Sequence, residues 1–204
     1  MTRRVLLATR NAKKLVELRR ILDTAGISGI EIVGLNEVPE YPEAPETGAT
    51  FEENAHAKAR DAVQATGLPA IADDSGLEVD ALNGMPGVLS ARWAGGHGDD
   101  TANLELVLSQ LGDVPDERRG GAFVCAVAFV VPEQPDVVVR GVWPGRIVRK
   151  PLGTNGFGYD PIFVPEGDTR TSAELESAEK DRISHRGRAL KLLLPHLRAF
   201  ADQV

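Results

Sequence analysis

The chain contains a single cysteine, Cys125, so no disulfide can form within it. Cys125 lies in the apolar run AFVCAVAFVV, where a buried and unreactive thiol is expected. The longest apolar stretch, 122–131, is about half the roughly 20 residues that a membrane-spanning helix needs. Both absences favour a protein of a reducing compartment that does not enter a membrane, and we expect a cytoplasmic location.

The sequence is also short of positive charge. It has 23 lysines and arginines against 30 aspartates and glutamates, which gives a net charge of -7 at pH 7. Nucleic-acid binding needs basic residues that neutralise phosphates, so this balance argues against a nucleic-acid partner. With 42% apolar and 26% charged residues, the composition is that of a globular protein, and we expect one domain over residues 1–204.

Apolar residues alternate between strand-like runs and helix-like periodicity in the first half of the chain, and two long β-type runs follow. Only the four residues PEQP separate the runs GAFVCAVAFVV and DVVVRGVWPGRIV, which predicts an antiparallel hairpin. This mixture predicts an α/β fold: a mixed twisted sheet with flanking helices, in two lobes around a central active-site cleft. The other predicted elements are strands at 3–8, 30–35, 69–73 and 77–82, and helices over 11–26, 50–66, from about 99 and from about 184. Thr50 and Glu53 have capping-box spacing, Gly67 is expected to end that helix, and Asp99 or Asp100 to cap the next one.

Four polar clusters interrupt this pattern, and the first is ATRNAKK at 8–14, where a strand runs into a helix. A helix N-terminus has free N–H groups and a partial positive charge, so Thr9, Asn11 and two lysines there form a suitable phosphate receptor. An ordinary N-cap by Asn11 with solvated lysines explains the same residues. The segment is not a P-loop, because the chain contains neither Gly-Lys-Ser nor Gly-Lys-Thr.

The second cluster is acidic and consists of Glu46, Glu53, Asp73 and Asp74. Mg²⁺ takes oxygen ligands and keeps several waters, so one or two carboxylates plus substrate phosphates are enough to hold it. Neighbouring residues of a regular strand point to opposite faces, so both aspartates can serve one site only if the strand ends at the pair, as we predict. Surface carboxylates beside a turn are the alternative.

The third cluster is GTNGFGYDP at 153–161, in which glycines surround Phe157 and precede Tyr159 and Asp160. Glycine lets the backbone approach a ligand closely, and an aromatic ring held there can stack on a flat base. A structural turn with a Phe in the core is equally compatible with the pattern. The spacing is not that of the dinucleotide-binding fingerprint.

The fourth cluster places Lys180, Ser184, His185 and Arg186 at the start of the last predicted helix. Cations at a helix N-terminus oppose the helix dipole, and a bound anion or electron-rich ligand would resolve that conflict. A solvated basic turn is the alternative interpretation.

Five segments together resemble, in matching order, the inosine triphosphate pyrophosphatase family, which removes non-standard purines from the nucleotide pool. The resemblance spans nearly the whole chain, from Leu7 to Leu194. It implies an elongated α/β fold, commonly a homodimer, that hydrolyses ITP, dITP and XTP to the monophosphate and pyrophosphate with Mg²⁺. The segments are ATRNAKKLVEL, ETGATFEENAHAKA, ADDSGLEVDALNGMPGVLSARWAG, GTNGFGYDPIF and SHRGRALKLL.

The resemblance also implies a role for each matching residue. Asp74 would be the general base and a metal ligand, assisted by Glu46 and Asp73. Arg10 departs from the small residue, often glycine, that the family commonly has there, so its contribution to phosphate binding stays open. The residues implied to contact substrate are Thr9, Arg10, Asn11, Ala12, Lys13, Lys14 and Lys58 at the phosphates, Ser75, then Phe157, Gly158, Tyr159 and Asp160 around the base, and Lys180, His185 and Arg186 at its edge.

Two other functions fit part of the pattern. Related pyrophosphatases for pyrimidine or modified nucleotides usually open on Ser-Pro-Arg-Arg, which the segment RNAKK does not match. A nucleotide sensor without turnover would be expected to have lost the metal carboxylates, whereas Glu46 and Asp74 are both present. The sequence therefore favours a hydrolase of non-standard purine triphosphates.

Overall fold

A computed structural model of the chain describes residues 2–42 and 45–203. The elements of this part are as follows. The strands are β1 (Arg3–Leu7), β2 (Ile30–Val33), β3 (Ala70–Val79), β4 (Gly120–Val130), β5 (Val137–Ile147) and β6 (Phe163–Pro165), and the α-helices are α1 (Ala12–Thr24), α2 (Phe51–Thr66), α3 (Asp100–Gln110), α4 (Ser177–Ile183) and α5 (His185–Ala201).

The strands form one mixed sheet in the order β2-β1-β3-β4-β5-β6. Strand β1 runs parallel to β2 and to β3, whereas β5 and β6 are antiparallel. The neighbours β4 and β5 are joined by residues 131–136, a connection too short for a crossover, so they form the predicted hairpin. The predicted α/β fold with a mixed sheet is confirmed.

The chain divides into two compact units. The first unit contains the residues up to Asp74, Ala126–Gly141 and the residues from Ala189 onward. The second unit contains Ser75–Cys125 and Val142–Arg188. The chain passes from one unit to the other within strands β3, β4 and β5 and within helix α5.

In the first unit, helix α2 is fixed at both ends by its sequence. The Thr50 hydroxyl accepts a hydrogen bond from Glu53 N at 3.1 Å, and the Glu53 carboxylate accepts one from Ala49 N at 2.6 Å, as a capping sequence predicts. The helix ends at Gly67, whose φ of 72° is the left-handed conformation that glycine adopts without strain. The buried face of α2 carries Ala55, Ala59 and Ala62, small residues that permit close packing.

The core of the second unit is aromatic. Phe123, Trp143 and Phe163 lie in mutual ring contact, and Tyr159 belongs to the same cluster. Arg119 is also buried there, and its guanidinium donates to the carbonyls of Leu111, Ile147 and Val148. Because these acceptors satisfy its donors, the arginine can remain charged at this depth.

Two local predictions are wrong. The segment around the Asp pair is not two short strands, because β3 continues without a break from Ala70 to Val79. Lys180 does not lie at the start of the last helix, because the separate helix α4 ends at Ile183 and α5 begins at His185. The predicted helix caps and the long hairpin are confirmed. Among the described residues, no helix has the length and apolar character needed to cross a membrane.

Candidate active site

Asp73 and Asp74 lie in the middle of β3, and their carboxylates have different lysine partners. Lys14 Nζ lies 2.7 Å from Asp73 Oδ2, and Lys58 Nζ lies 3.4 Å from Asp74 Oδ1. The strand can hold two adjacent carboxylates because helices α1 and α2 each supply a cation to one of them.

Lys58 links two of the predicted metal ligands. Its ammonium forms an ion pair with Glu46 as well as with Asp74, so the two carboxylates lie close enough to share one cation. Lys58 and Glu46 are each a little more than a quarter exposed, and the Asp74 side chain is 11% exposed. The sequence predicted Glu46, Lys58 and Asp74 as parts of one site, and the first unit brings them together.

Asn54 completes this cluster, and sequence reasoning missed it. Its side-chain N–H donates to Asp74 Oδ2 at 3.0 Å, while its amide oxygen accepts from Gly48 N at 2.8 Å. The residue is only 2% exposed. Its spacing of four from Lys58 on one helix was the signal available in the sequence, because such residues share a helix face.

The ionisation of the cluster reflects its burial. Burial raises the pKa of Asp74 above its ordinary value, and the charge of Glu46 adds to this, against the opposing effects of Lys58 and Asn54. Burial opposes the charge of Lys58, but the carboxylates of Asp74 and Glu46 outweigh it and raise the pKa of Lys58. A carboxylate with a raised pKa is a stronger proton acceptor, which is the property that a general base requires.

The donor set suits a hard divalent cation that also binds phosphate. Within residues 2–42 and 45–203, no three side chains of His, Cys, Asp or Glu form a group that could hold a metal alone. Mg²⁺ does not require one, since it commonly uses one or two carboxylates together with waters and phosphates. Glu46 and Asp74 already share a cation, the Lys58 ammonium, so their oxygens fit this requirement.

The predicted phosphate loop lies at the N-terminus of α1. Asn11 N donates to Thr9 Oγ1 at 3.2 Å, which shapes the turn into the helix. Arg10, Asn11 and Ala12 are exposed there, and Thr9 is partly buried. The side chain of Lys13 lies outside the described part of the chain, and Lys14 is the partner of Asp73.

In the second unit, the glycine-rich loop presents Phe157 to solvent. The ring is 63% exposed, so the alternative of a Phe in the core is wrong. Gly156 and Gly158 flank it with φ values of 80° and 60°, which side-chain-bearing residues rarely adopt. Lys180 Nζ lies 5.7 Å from the ring centroid, within cation–π distance.

The buried Asp160 carboxylate holds this loop in place through three hydrogen bonds. Its carboxylate accepts from Phe157 N at 2.9 Å, from Ser172 Oγ at 2.7 Å and from Lys180 Nζ at 2.5 Å. The Asp160 side chain is 4% exposed and the Lys180 side chain 16%. The neighbouring Tyr159 is also buried, and its hydroxyl donates to the carbonyl of Ser90 at 2.8 Å. Ser172 is a further residue that sequence reasoning missed.

The residues at the start of α5 are partly or fully buried. The His185 ring stacks on Phe123 with centroids 5.0 Å apart, and Arg186 Nη2 lies 3.4 Å from Ser75 Oγ. Ser184 Oγ accepts from Gly187 N at 3.2 Å, so it caps the helix. The second unit therefore brings Ser75 and Arg186 together, and it joins Lys180 to the loop of Phe157 and Asp160. Substrate contact by any of these residues stays a prediction.

Comparison with known proteins gives consistent matches over nearly the whole chain. A sequence model described as the Ham1 family matches residues 5–196. A protein of Nocardia farcinica named dITP/XTP pyrophosphatase is 70% identical over 200 residues, which cover 98% of this chain and 97% of that protein.

Two solved structures match as well. The crystal structure of a nucleoside-triphosphatase, also named dITP/XTP pyrophosphatase, from Mycobacterium abscessus has a TM-score of 0.82 and 65% identity, covering 96% of this chain and 100% of that one. A HAM1 protein from Coxiella burnetii has a TM-score of 0.88 and 42% identity, covering 97% of this chain and 100% of that one.

Proposed function

The chain belongs to the Ham1 family, and from that premise we propose that it hydrolyses ITP, dITP and XTP to the monophosphate and pyrophosphate. Relatives named for dITP and XTP support the substrate class. The observation that carries the proposal is the cluster of Lys58 with Glu46 and Asp74, because it combines a buried carboxylate with a cation and a second carboxylate. Such a cluster suits the hydrolysis of a phosphoric anhydride.

In this proposal the first unit performs the phosphate chemistry. Asp74 accepts a proton from the water that attacks the α-phosphorus, and its raised pKa favours that transfer. Lys14 and Lys58, with the backbone N–H groups at the start of α1, bind the phosphate oxygens and stabilise the charge that develops on them. Mg²⁺, bound by Asp74 and Glu46 with Asp73 nearby, would neutralise phosphate charge and polarise the reacting anhydride.

The proton and oxygen balance gives this mechanism a direct test. Attack at the α-phosphorus places the oxygen of water in the monophosphate, and the departing group is pyrophosphate. Turnover in ¹⁸O-labelled water should therefore yield labelled dIMP and unlabelled pyrophosphate, as read by mass spectrometry. Label in the pyrophosphate would mean attack at the β-phosphorus. Asp74 would then not be the base for water attacking the α-phosphorus.

The second unit supplies base recognition in this proposal. The exposed Phe157 ring stacks on the purine, and Lys180, His185 and Arg186 read its edge. Hypoxanthine and xanthine carry a 6-oxo acceptor where adenine has an amino donor, so a donor from Arg186 or a backbone N–H rejects ATP by mispairing. Guanine also has the 6-oxo group, so discrimination against GTP must act at its 2-amino group.

The substrate panel that tests the proposal is pyrophosphate release from dITP, XTP, dGTP and dATP, each with Mg²⁺ and with EDTA. We expect metal-dependent turnover of dITP and XTP with little turnover of the other two. Equal turnover of all four would leave the phosphate chemistry standing and refute the purine selectivity. Turnover of none of the four would instead favour a nucleotide sensor, and turnover of dCTP, added as a fifth substrate, in preference to the purines would identify the related pyrophosphatase class.

Two further proposals accompany this function. We infer a homodimer, as the resemblance implies, and light scattering on the purified protein would measure its mass against the 21.9 kDa of one chain. We infer a cytoplasmic location from the proposed substrates, because that is where nucleoside triphosphates are consumed by polymerases. A monomer in solution would contradict the first inference.

A further inference from the structure

Asn54 uses both ends of its side-chain amide, and chemistry fixes which end faces which partner. A backbone N–H can donate only to an acceptor, so the Gly48 N–H meets the amide oxygen at 2.8 Å. The amide NH₂ then faces Asp74 Oδ2 at 3.0 Å, where it is a donor to a carboxylate. Both partners are thus satisfied by one buried residue.

Asn54 also shares a helix face with Lys58, four residues later, and the two side chains make parallel connections. Lys58 joins Glu46 to Asp74, and Asn54 joins Gly48 to Asp74. Each side chain therefore ties the segment 45–48 to the same carboxylate on β3. The loop and the carboxylate are held from one surface of α2.

The two ties differ in what a nucleotide would do to them. Lysine is a flexible cation that a triphosphate attracts, so Lys58 can leave its carboxylates when substrate binds. The Asn54 amide is neutral and only 2% exposed, so phosphate charge does not draw it away. We therefore expect the asparagine connection to stay in place when a nucleotide binds.

The backbone at Gly48 is fitted closely to this connection. A Cβ atom at Gly48 would lie 2.6 Å from Asn54 Oδ1 and 2.8 Å from Glu53 Cβ, closer than real contacts allow. A side chain at position 48 would therefore push the loop away from Asn54. Because Glu46 lies only two residues before Gly48, the contact between Gly48 and the Asn54 amide also constrains the position of Glu46.

We propose that Asn54 is a positioning residue, which fixes Asp74 and the Glu46 segment in the arrangement that hydrolysis requires. The inference rests on the proposed function, since it assigns these carboxylates to the reaction. Removal of partners that orient reacting or metal-binding groups typically costs about 10- to 100-fold in activity or metal affinity. We expect a loss of this size in kcat, with little change in KM for dITP.

Three variants and one control separate positioning from mere stability. Asn54→Ala removes both hydrogen bonds, and Asn54→Asp keeps the acceptor for Gly48 N but replaces the donor to Asp74 with a second carboxylate. Gly48→Ala keeps the asparagine but places a Cβ against its amide oxygen. The control is Asn103→Ala in α3, another buried asparagine, 1% exposed, whose amide oxygen accepts from Ala94 N at 2.7 Å. Asn54→Ala and Asn103→Ala each remove a buried asparagine amide, so the control matches that variant.

The measurements are kcat and KM for dITP at saturating Mg²⁺, the unfolding temperature, and hydrogen exchange of a peptide covering residues 45–50. We expect both Asn54 variants to lose about 10- to 100-fold in kcat with KM within about threefold of the wild type. Exchange in 45–50 should rise in Asn54→Ala and Gly48→Ala. Asn103→Ala should lower the unfolding temperature as Asn54→Ala does and keep kcat within about twofold.

Either of two kinetic results would overturn the positioning of Asp74: kcat of both Asn54 variants close to the wild type, or an equal loss of kcat in Asn103→Ala. If hydrogen exchange of residues 45–50 were unchanged in Asn54→Ala, Asn54 would not hold the Glu46 segment, and this conclusion would not depend on any activity measurement. A wild-type protein that does not hydrolyse dITP would instead refute the proposed function. The exchange data would then still report whether Asn54 holds the loop.

Discussion

Asp160→Asn tests the support of the base-recognition loop most sharply. The substitution removes the charge that pairs with Lys180, and both side chains are largely buried, at 4% and 16% exposed. Removing one partner of a buried pair typically costs about 3–5 kcal/mol, because it leaves an uncompensated charge. Asparagine keeps one acceptor oxygen, which can still accept from Ser172 Oγ while Phe157 N loses its partner, so we expect a cost near the lower end, about 3 kcal/mol.

For a chain of this size, each kcal/mol lowers the unfolding temperature by about 2–4 °C, so calorimetry should show a loss of about 6–12 °C. The KM for dITP should rise, since Phe157 N loses its acceptor and the loop loosens. The control is Asp116→Asn, which weakens a pair with Arg149 that is mostly exposed, at 79% and 51%, so it should change little. An unfolding temperature for Asp160→Asn equal to that of the control would refute this account of the loop.

Three other predictions follow from the same structure. Asp74→Asn should lower kcat by about 100- to 10,000-fold while sparing the unfolding temperature, and a near-normal rate would remove Asp74 as the base. Phe157→Ala should raise KM for dITP by about 5- to 150-fold, the equivalent of roughly 1–3 kcal/mol of stacking, and an unchanged KM would exclude stacking. Hydrogen bonds from His56 and Arg60 hold the pKa of Asp136 below its ordinary value, so its carboxylate stabilises the fold above an unfolded pKa of about 3.8. That stability is lost as pH falls through the lower folded pKa, so urea titrations should show the difference between wild type and Asp136→Asn shrinking as pH falls below the unfolded pKa of about 3.8, and a constant difference would contradict the assignment.

Local sequence signals predicted much of the fold because their causes are local. The cap at Thr50 and the glycine stop at Gly67 depend on residues within one turn of each helix end. The hairpin of β4 and β5 follows from two long apolar runs and a short connection. In each case the residues that determine the structure are neighbours in the chain.

The predictions around the Asp pair failed because their causes are distant in sequence. Two adjacent charges usually mark the end of a strand, yet β3 continues because Lys14 and Lys58 neutralise them from two helices. Lys14 lies 59 positions from Asp73, so no local window contains the pair. Asn54 was missed for a similar reason, since its two partners lie on a preceding loop and a later strand.

For the glycine-rich loop, too, the sequence identified the residues but could not predict their burial. The sequence identified Phe157 and Asp160 as neighbours in a loop but left open whether the ring was buried. The answer depends on Ser172 and Lys180, which bind the Asp160 carboxylate from later in the chain and leave the ring outside. The burial of Tyr159, two residues after Phe157, could not be predicted from the local pattern either.

The most direct test of the central claim is a competition between dITP and dGTP in one reaction with Mg²⁺, followed by mass spectrometry of the products. An equimolar mixture reports the ratio of the two kcat/KM values from the same enzyme sample. The account predicts that dIMP and pyrophosphate accumulate while dGTP remains. Formation of dGMP at a similar rate, or of dIDP and phosphate from dITP, would contradict it.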